Sequence, residues 1–184
     1  MENEFKDMNI ETRKTNKGAL IATIKGEIED KEVTLSGHVD TLGGMVKEIK
    51  SNGRLKITQV GGYMWNSIEG EYCTIEASNG KLYTGTVLTT MASTHVHGQN
   101  ADTLERKGAN MEIRIDEKVK SSEDVEKLGI CVGDYVFFDT GTVVTESGFI
   151  KSRHLDDKAG VASILGMAKY LTDNNITPKY TTNF

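Results

Sequence analysis

Cysteine is scarce in this sequence. Its two cysteines, Cys73 and Cys131, lie far apart with no CxxC spacing, which fits a reduced cytosolic protein better than a disulfide scaffold. Clustered positive charge is missing too. The net charge is -5 and no basic stripe stands out, which argues against a nucleic-acid partner. No apolar run approaches the roughly 18 residues of a membrane span. The N-terminal "MENEFKDMNIETRK" has no apolar signal-peptide core, so a soluble, cytoplasmic protein with no membrane partner is expected. GxSxG, Walker A and the Rossmann glycine fingerprint are all absent. Proline occurs once, against 19 glycines. What remains, 37% hydrophobic and 27% charged over 184 residues, is ordinary globular composition with room for one full core and a smaller second one.

The elements that are present come in two textures. Residues 2–12 read weakly as the end of a helix. "GALIATIKG" (18–26) and "KEVTLSGHVD" (31–40) read as strands on either side of the acidic turn "EIED", the second apolar enough to be central in a sheet. From about residue 43 the pattern becomes short alternating strands. "GMVKEIK-SNG-RLKITQV" and "YCTIEA-SNG-KLYTGTV" share one hairpin plan, with turns at Asn52-Gly53 and Asn79-Gly80. "MEIRID" (111–116) and "DYVFFDT" (134–140) add strands. "SSEDVEKLG" between them reads as a short helix, with Ser121 as cap, Asp124 at capping-box spacing and Gly129 as the stop. A compact β-barrel or sandwich is expected over residues 44–149. After residue 150, Val161, Ile164, Leu165, Ala168 and Leu171 share one face of a helix over 157–173. The predicted organisation is therefore an α/β unit, residues 1–43 and 150–184, interrupted by an all-β insert.

Two spots carry candidate chemistry, "GHVD" and "SRHLDDKAG". Read as strand residues, His38 and Asp40 project from one face at the C-terminal end, where open α/β sheets bind ligands. A carboxylate beside an imidazole can hold its second N–H and aim the other nitrogen at a metal. Asp156 and Asp157 have two readings. Acidic residues suit a helix N-terminus, each contributing about 0.3–1 kcal/mol. Alternatively, a strand-to-helix junction can aim a carboxylate inward to bridge a pair of metal ions. Other candidates are weaker. His95 and His97 would share a strand face inside an exposed polar loop. His154 is expected beside the site rather than in it. Trp65 is expected in the insert's core or at an interface, and Gly61-Gly62 at a bulge or tight corner. The scattered methionines read as core filler.

Taken together and in order, "LSGHVDTLGGMVKEI", "ITQVGGYMWNSIEGEYCTIEA", "LGICVGDYVFF" and "IKSRHLDDKAGVASILG" resemble the glutamyl and deblocking aminopeptidases. These are dinuclear metallo-aminopeptidases that assemble into tetrahedral particles, and some carry the name endoglucanase. The resemblance covers nearly the whole chain. It implies an aminopeptidase-type, phosphorylase/hydrolase-like α/β domain interrupted by a barrel-like dimerisation domain. It also implies removal of N-terminal residues from peptides by metal-activated water, with two divalent ions, zinc or cobalt, and a homo-oligomer built through the insert. By that resemblance His38 is a metal ligand, Asp40 is the catalytic aspartate supporting it, and Asp156 is the metal bridge. A cis Asp156–Asp157 peptide bond is expected.

The departures point to a fragment. The family's Glu-Glu pair, which supplies a general base and a ligand, should follow soon after the 157–173 helix, but the sequence stops at "NNITPKYTTNF". A later aspartate and a C-terminal histidine are also missing, and only "MENEFKDMN" stands where the family has a helical leader. A catalytic zinc usually takes three protein ligands plus water, so His38 and Asp156 alone predict an inactive chain. Two rivals remain. One is a non-enzymatic β-barrel binding or assembly module. The other, ranked last, is a glycoside hydrolase, which needs paired carboxylates flanking a sugar cleft.

Overall fold

A computed structural model describes residues 1–184, apart from the side chain at position 29. The chain opens with α1 (Glu2–Asp7), β1 (Thr12–Lys14), β2 (Leu20–Ile24) and β3 (Ile28–Thr34). A long β-rich stretch follows: β4 (Gly43–Ile49), β5 (Leu55–Val60), β6 (Tyr72–Glu76), β7 (Leu82–Thr89), α2 (Thr94–His97), α3 (Gln99–Thr103), β8 (Met111–Ile115), α4 (Ser122–Leu128), β9 (Tyr135–Phe138), β10 (Val143–Val144) and β11 (Ile150–Lys151). The chain closes with α5 (Leu155–Asp173) and β12 (Tyr180–Asn183). Two compact units result, residues 1–40 with 154–184, and residues 41–153.

In the second unit six strands close into an antiparallel barrel in the order β4-β5-β8-β7-β6-β9. The β4–β9 pairing closes the ring, and strict alternation fills it, since side chains two residues apart share a face. Tyr135 and Phe137 face out while Val136 and Phe138 face in, and Cys73 and Ile75 do the same on β6. The inward set, including Leu55, Ile57, Ile75, Val87, Met111, Ile113 and Val136, forms one continuous core. Trp65 packs against that core, edge-on to Tyr63 at 5.8 Å, and Gly61 turns a corner at φ +80°. α4 adds Val125 to the core. Its Ser121 hydroxyl accepts the Asp124 N–H at 3.3 Å, and Gly129 ends it at φ +89°.

The expected Asn-Gly hairpins form, with a refinement. At 50–54 and 77–81 one bond closes a four-residue turn, Gly53 N–H to Lys50 O and Gly80 N–H to Ala77 O. Only the glycines are left-handed, at φ +79° each. Asn52 and Asn79 serve through their side chains, each Oδ1 accepting the N–H two residues on, at 3.1 and 3.0 Å. Glycine-closed turns at 15–18 and 145–148 repeat the bonding.

In the first unit the sheet order is β1-β2-β12-β3, with β12 antiparallel to β2 and parallel to β3. Phe5, Ile10, Ala22, Ala168, Leu171 and Phe184 form its core, with Ile164 and Leu165 packed against it. That is the apolar face expected of α5. Three expectations need correction. The strand expected at 31–40 starts earlier, because Ile28 already pairs with Tyr180 where an acidic turn was expected. It ends at Thr34, and it is an edge strand rather than a central one. Third, His95 and His97 sit on the short helix α2, so residues two apart no longer share a face.

Candidate metal centre

The strand's early end places the HxD residues in a loop. Leu35 N–H donates to Asn183 O at 2.9 Å, beyond the last paired residue of β3, and residues 36–40 then leave the sheet. The strand-face argument for His38 and Asp40 therefore fails, yet the two side chains still meet: His38 Nδ1 lies 3.1 Å from Asp40 Oδ1. On the other side of the ring, Nε2 lies 3.3 Å from Asp156 Oδ1. Loop 36–40 and the start of α5, more than a hundred residues apart in sequence, thus converge on one imidazole.

The start of α5 is irregular. His154 is left-handed at φ 62°, Asp156 and Asp157 depart from helical φ/ψ, and the Asp156–Asp157 bond is cis, as the resemblance implied. Regular helix begins at Lys158. The two aspartates diverge. Asp156 is 96% exposed at its side chain and faces His38. Asp157 turns back toward the loop, where its Oδ2 accepts the His38 N–H at 3.4 Å. Lys158 Nζ donates to Val39 O at 2.8 Å.

This donor set can be tested against a divalent ion. A neutral ring that donates an Nδ1–H hydrogen bond to Asp40 keeps a lone pair on Nε2, facing the Asp156 carboxylate. Two such acceptors repel unless a cation lies between them or the ring takes a second proton. Ligand atoms about 2.0–2.2 Å from a shared tetrahedral ion stand about 3.4 Å apart. The observed 3.3 Å fits one edge of such a sphere. Three carboxylates, Asp40, Asp156 and Asp157, on this loop and at the start of α5 also favour a cation. The pair is only part of a site, since no group of three or more His, Cys, Asp or Glu side chains suited to an ion occurs among the described residues.

The profile of the M42 glutamyl aminopeptidase family matches residues 18–184. The chain belongs to that family. Over all 184 residues this M42 chain is 52% identical to YhfE of Bacillus subtilis (strain 168), which bears an aminopeptidase name, and it spans 53% of that protein. The TET aminopeptidase of the marine-sediment Thaumarchaeota archaeon SCGC AB-539-E09 matches 99% of the chain with 50% of its own, at 20% identity and a TM-score of 0.85. The Pyrococcus horikoshii TET1 peptidase, described as able to assemble into a tetrahedron or a large octahedral shell, matches 99% with 52% of its own, at 22% identity and a TM-score of 0.75. At those identities the two structures establish the fold alone. The chain spans about half the length of the relatives it matches.

Three residues beside this cluster in the M42 chain, Lys158, Gly37 and Gly160, lie within the two motifs without being among their candidate site residues. Gly37 and Gly160 carry no chemistry, yet both lie against the Asp157 carboxylate. The one available signal was a small residue beside each acidic or histidine motif, in "SGHVD" and "DDKAG".

Proposed function

We propose that this chain supplies part of a dinuclear metallo-aminopeptidase site, in which His38 and Asp156 are metal donors and Asp40 orients His38. The observation that carries this is the single imidazole held between two carboxylates, 3.1 Å from Asp40 and 3.3 Å from Asp156. Asp40 fixes the tautomer by accepting a hydrogen bond from Nδ1–H, leaving the Nε2 lone pair for the metal. Asp156, with its second oxygen free for another ion, suits the bridging role. When bound, zinc or cobalt would polarise a peptide carbonyl and activate water. Two donors among the described residues fall short of the three protein ligands a catalytic zinc usually takes, so on this reading the site in this chain is catalytically incomplete. Calorimetric titration with zinc or cobalt tests the site: weak uptake lost in His38→Ala and Asp156→Ala supports it, and uptake unchanged by both refutes it. Hydrolysis of aminoacyl-p-nitroanilides by this chain would refute the incompleteness.

Residues 1–40 with 154–184 are, on this proposal, catalytic-domain sequence, and residues 41–153 a dimerisation insert. A specific feature favours an assembly role for the barrel. Tyr72, Leu82, Tyr135 and Phe137 project from its outer face, 43–68% exposed, on the adjacent strands β9, β6 and β7. Large exposed apolar patches mark interaction surfaces. A homo-oligomer through this face predicts that Phe137→Asp shifts the species seen by light scattering toward monomer. An unchanged mass would remove this face from the interface.

A further inference from the structure

Loop 36–40 carries His38 and Asp40 without a strand ladder to hold it, so something else must set its position. Two contacts to the start of α5 do so. Lys158 Nζ donates to Val39 O at 2.8 Å, and Asp157 Oδ2 accepts the His38 N–H at 3.4 Å. They grip adjacent residues of the loop, one through a carbonyl and one through an N–H. The Asp157 carboxylate is itself confined. A Cβ on Gly160 would overlap Asp157 Oδ1, and a Cβ on Gly37 would lie 2.9 Å from Oδ2 and 3.0 Å from Val161 Cγ2. The carboxylate therefore fills a slot that exists only because both neighbours are glycine.

We propose that Asp157 and Lys158 are positioning residues that clamp loop 36–40 to the start of α5, and that Gly37 and Gly160 are required to seat the clamp. Resting on the metal-site proposal above, this assigns Asp157 a task different from that of Asp156. One aspartate presents oxygen to the ion, while its neighbour holds the histidine's backbone in register with it. Lys158 acts through the Val39 carbonyl, between the two functional side chains, and so limits rotation of both. Its charge also offsets part of the repulsion among the three carboxylates.

Gly160→Ala separates this idea from generic stability. On helix propensity alone, Ala in place of a helical Gly strengthens α5. On the clamp, the new methyl evicts the Asp157 carboxylate and frees the loop. The first measurement is amide exchange at His38, Val39 and Asp40 in metal-free protein, by NMR, with the melting temperature as control. Gly160→Ala and Lys158→Met are expected to speed exchange there without lowering the melting temperature, and Lys158→Arg, which keeps a donor, to restore protection. The second is calorimetric affinity for zinc or cobalt, expected to weaken about 10–100-fold in the same two variants, as when other supporting residues around metal ligands are lost. Wild-type exchange at 38–40 in both variants overturns the clamp, whatever the metal does. If exchange rises but His38→Ala binds metal like the wild type, the clamp stands and the metal assignment falls.

Discussion

Cys73 offers a quantitative test of the barrel core. Its side chain sits inside the barrel, 3% exposed, beside Ile75 and Phe138 in the core cluster. Burial, with a smaller contribution from the Asp116 charge, pushes its thiol from the ordinary 9.0 up to about 12. The sign follows from which state keeps the proton. Above about pH 9 the unfolded chain releases it while the native barrel retains it, so the native state binds more protons and stability falls as pH rises. A gap of about three units corresponds to about 4 kcal/mol at its limit, and about 2 kcal/mol of that is lost between about pH 8 and about pH 10.5. Urea unfolding at those two pH values, on wild type and Cys73→Ala, isolates the contribution. The variant is less stable at the lower pH because it leaves a small cavity, but its loss on going alkaline is smaller by about 2 kcal/mol. Tyr63, pushed up by burial to about 12, adds to the alkaline loss equally in both proteins. Parallel losses in the two proteins would refute the burial argument.

Three further outcomes follow from local geometry. Under native conditions a thiol reagent at neutral pH titrates exposed Cys131 and spares buried Cys73; fast reaction of both would mean the barrel opens. Ser121→Ala removes the hydroxyl that accepts the Asp124 N–H and lowers chemical stability by about 1 kcal/mol, with no change if α4 is held by packing alone. In Gly85→Ala the new methyl lies 2.8 Å from Arg114 O and 2.9 Å from Ile113 Cγ2, with backbone on one side that cannot yield. The expected cost is about 1–3 kcal/mol or more, read from the urea midpoint, and a neutral result would show that β7 and β8 separate easily.

Much of the architecture was legible because it rests on local rules. Alternation marked the barrel strands, the Ser121 and Gly129 signals bracketed α4, and the helical spacing from Val161 to Leu171 marked the buried face of α5. The errors share a cause. "KEVTLSGHVD" keeps a strand-like texture through Asp40, and nothing local says that pairing stops near Leu35, opposite Asn183, the last residue of β12. Strand order is likewise invisible to periodicity, so β3 read as central though among the described residues it pairs with β12 alone. "STHVHGQN" misled in the other direction: a single helical turn is too short to show a period, so His95 and His97 read as strand residues.

For the candidate site, the residue types and their order in the chain came from the sequence by itself. A histidine and an aspartate two apart, followed across a β-rich insert by adjacent aspartates, marked the candidates, and the family resemblance singled out His38, Asp40 and Asp156 as one group. Tertiary structure shows where each aspartate side chain goes. Asp156 and Asp157 are chemically identical and adjacent, so no local rule separates them. They part because backbone geometry at the start of α5 sends one carboxylate to His38 Nε2 and the other into the slot between Gly37 and Gly160. That slot depends on the space left by two missing side chains more than a hundred residues apart, a property of packing rather than of any stretch of sequence.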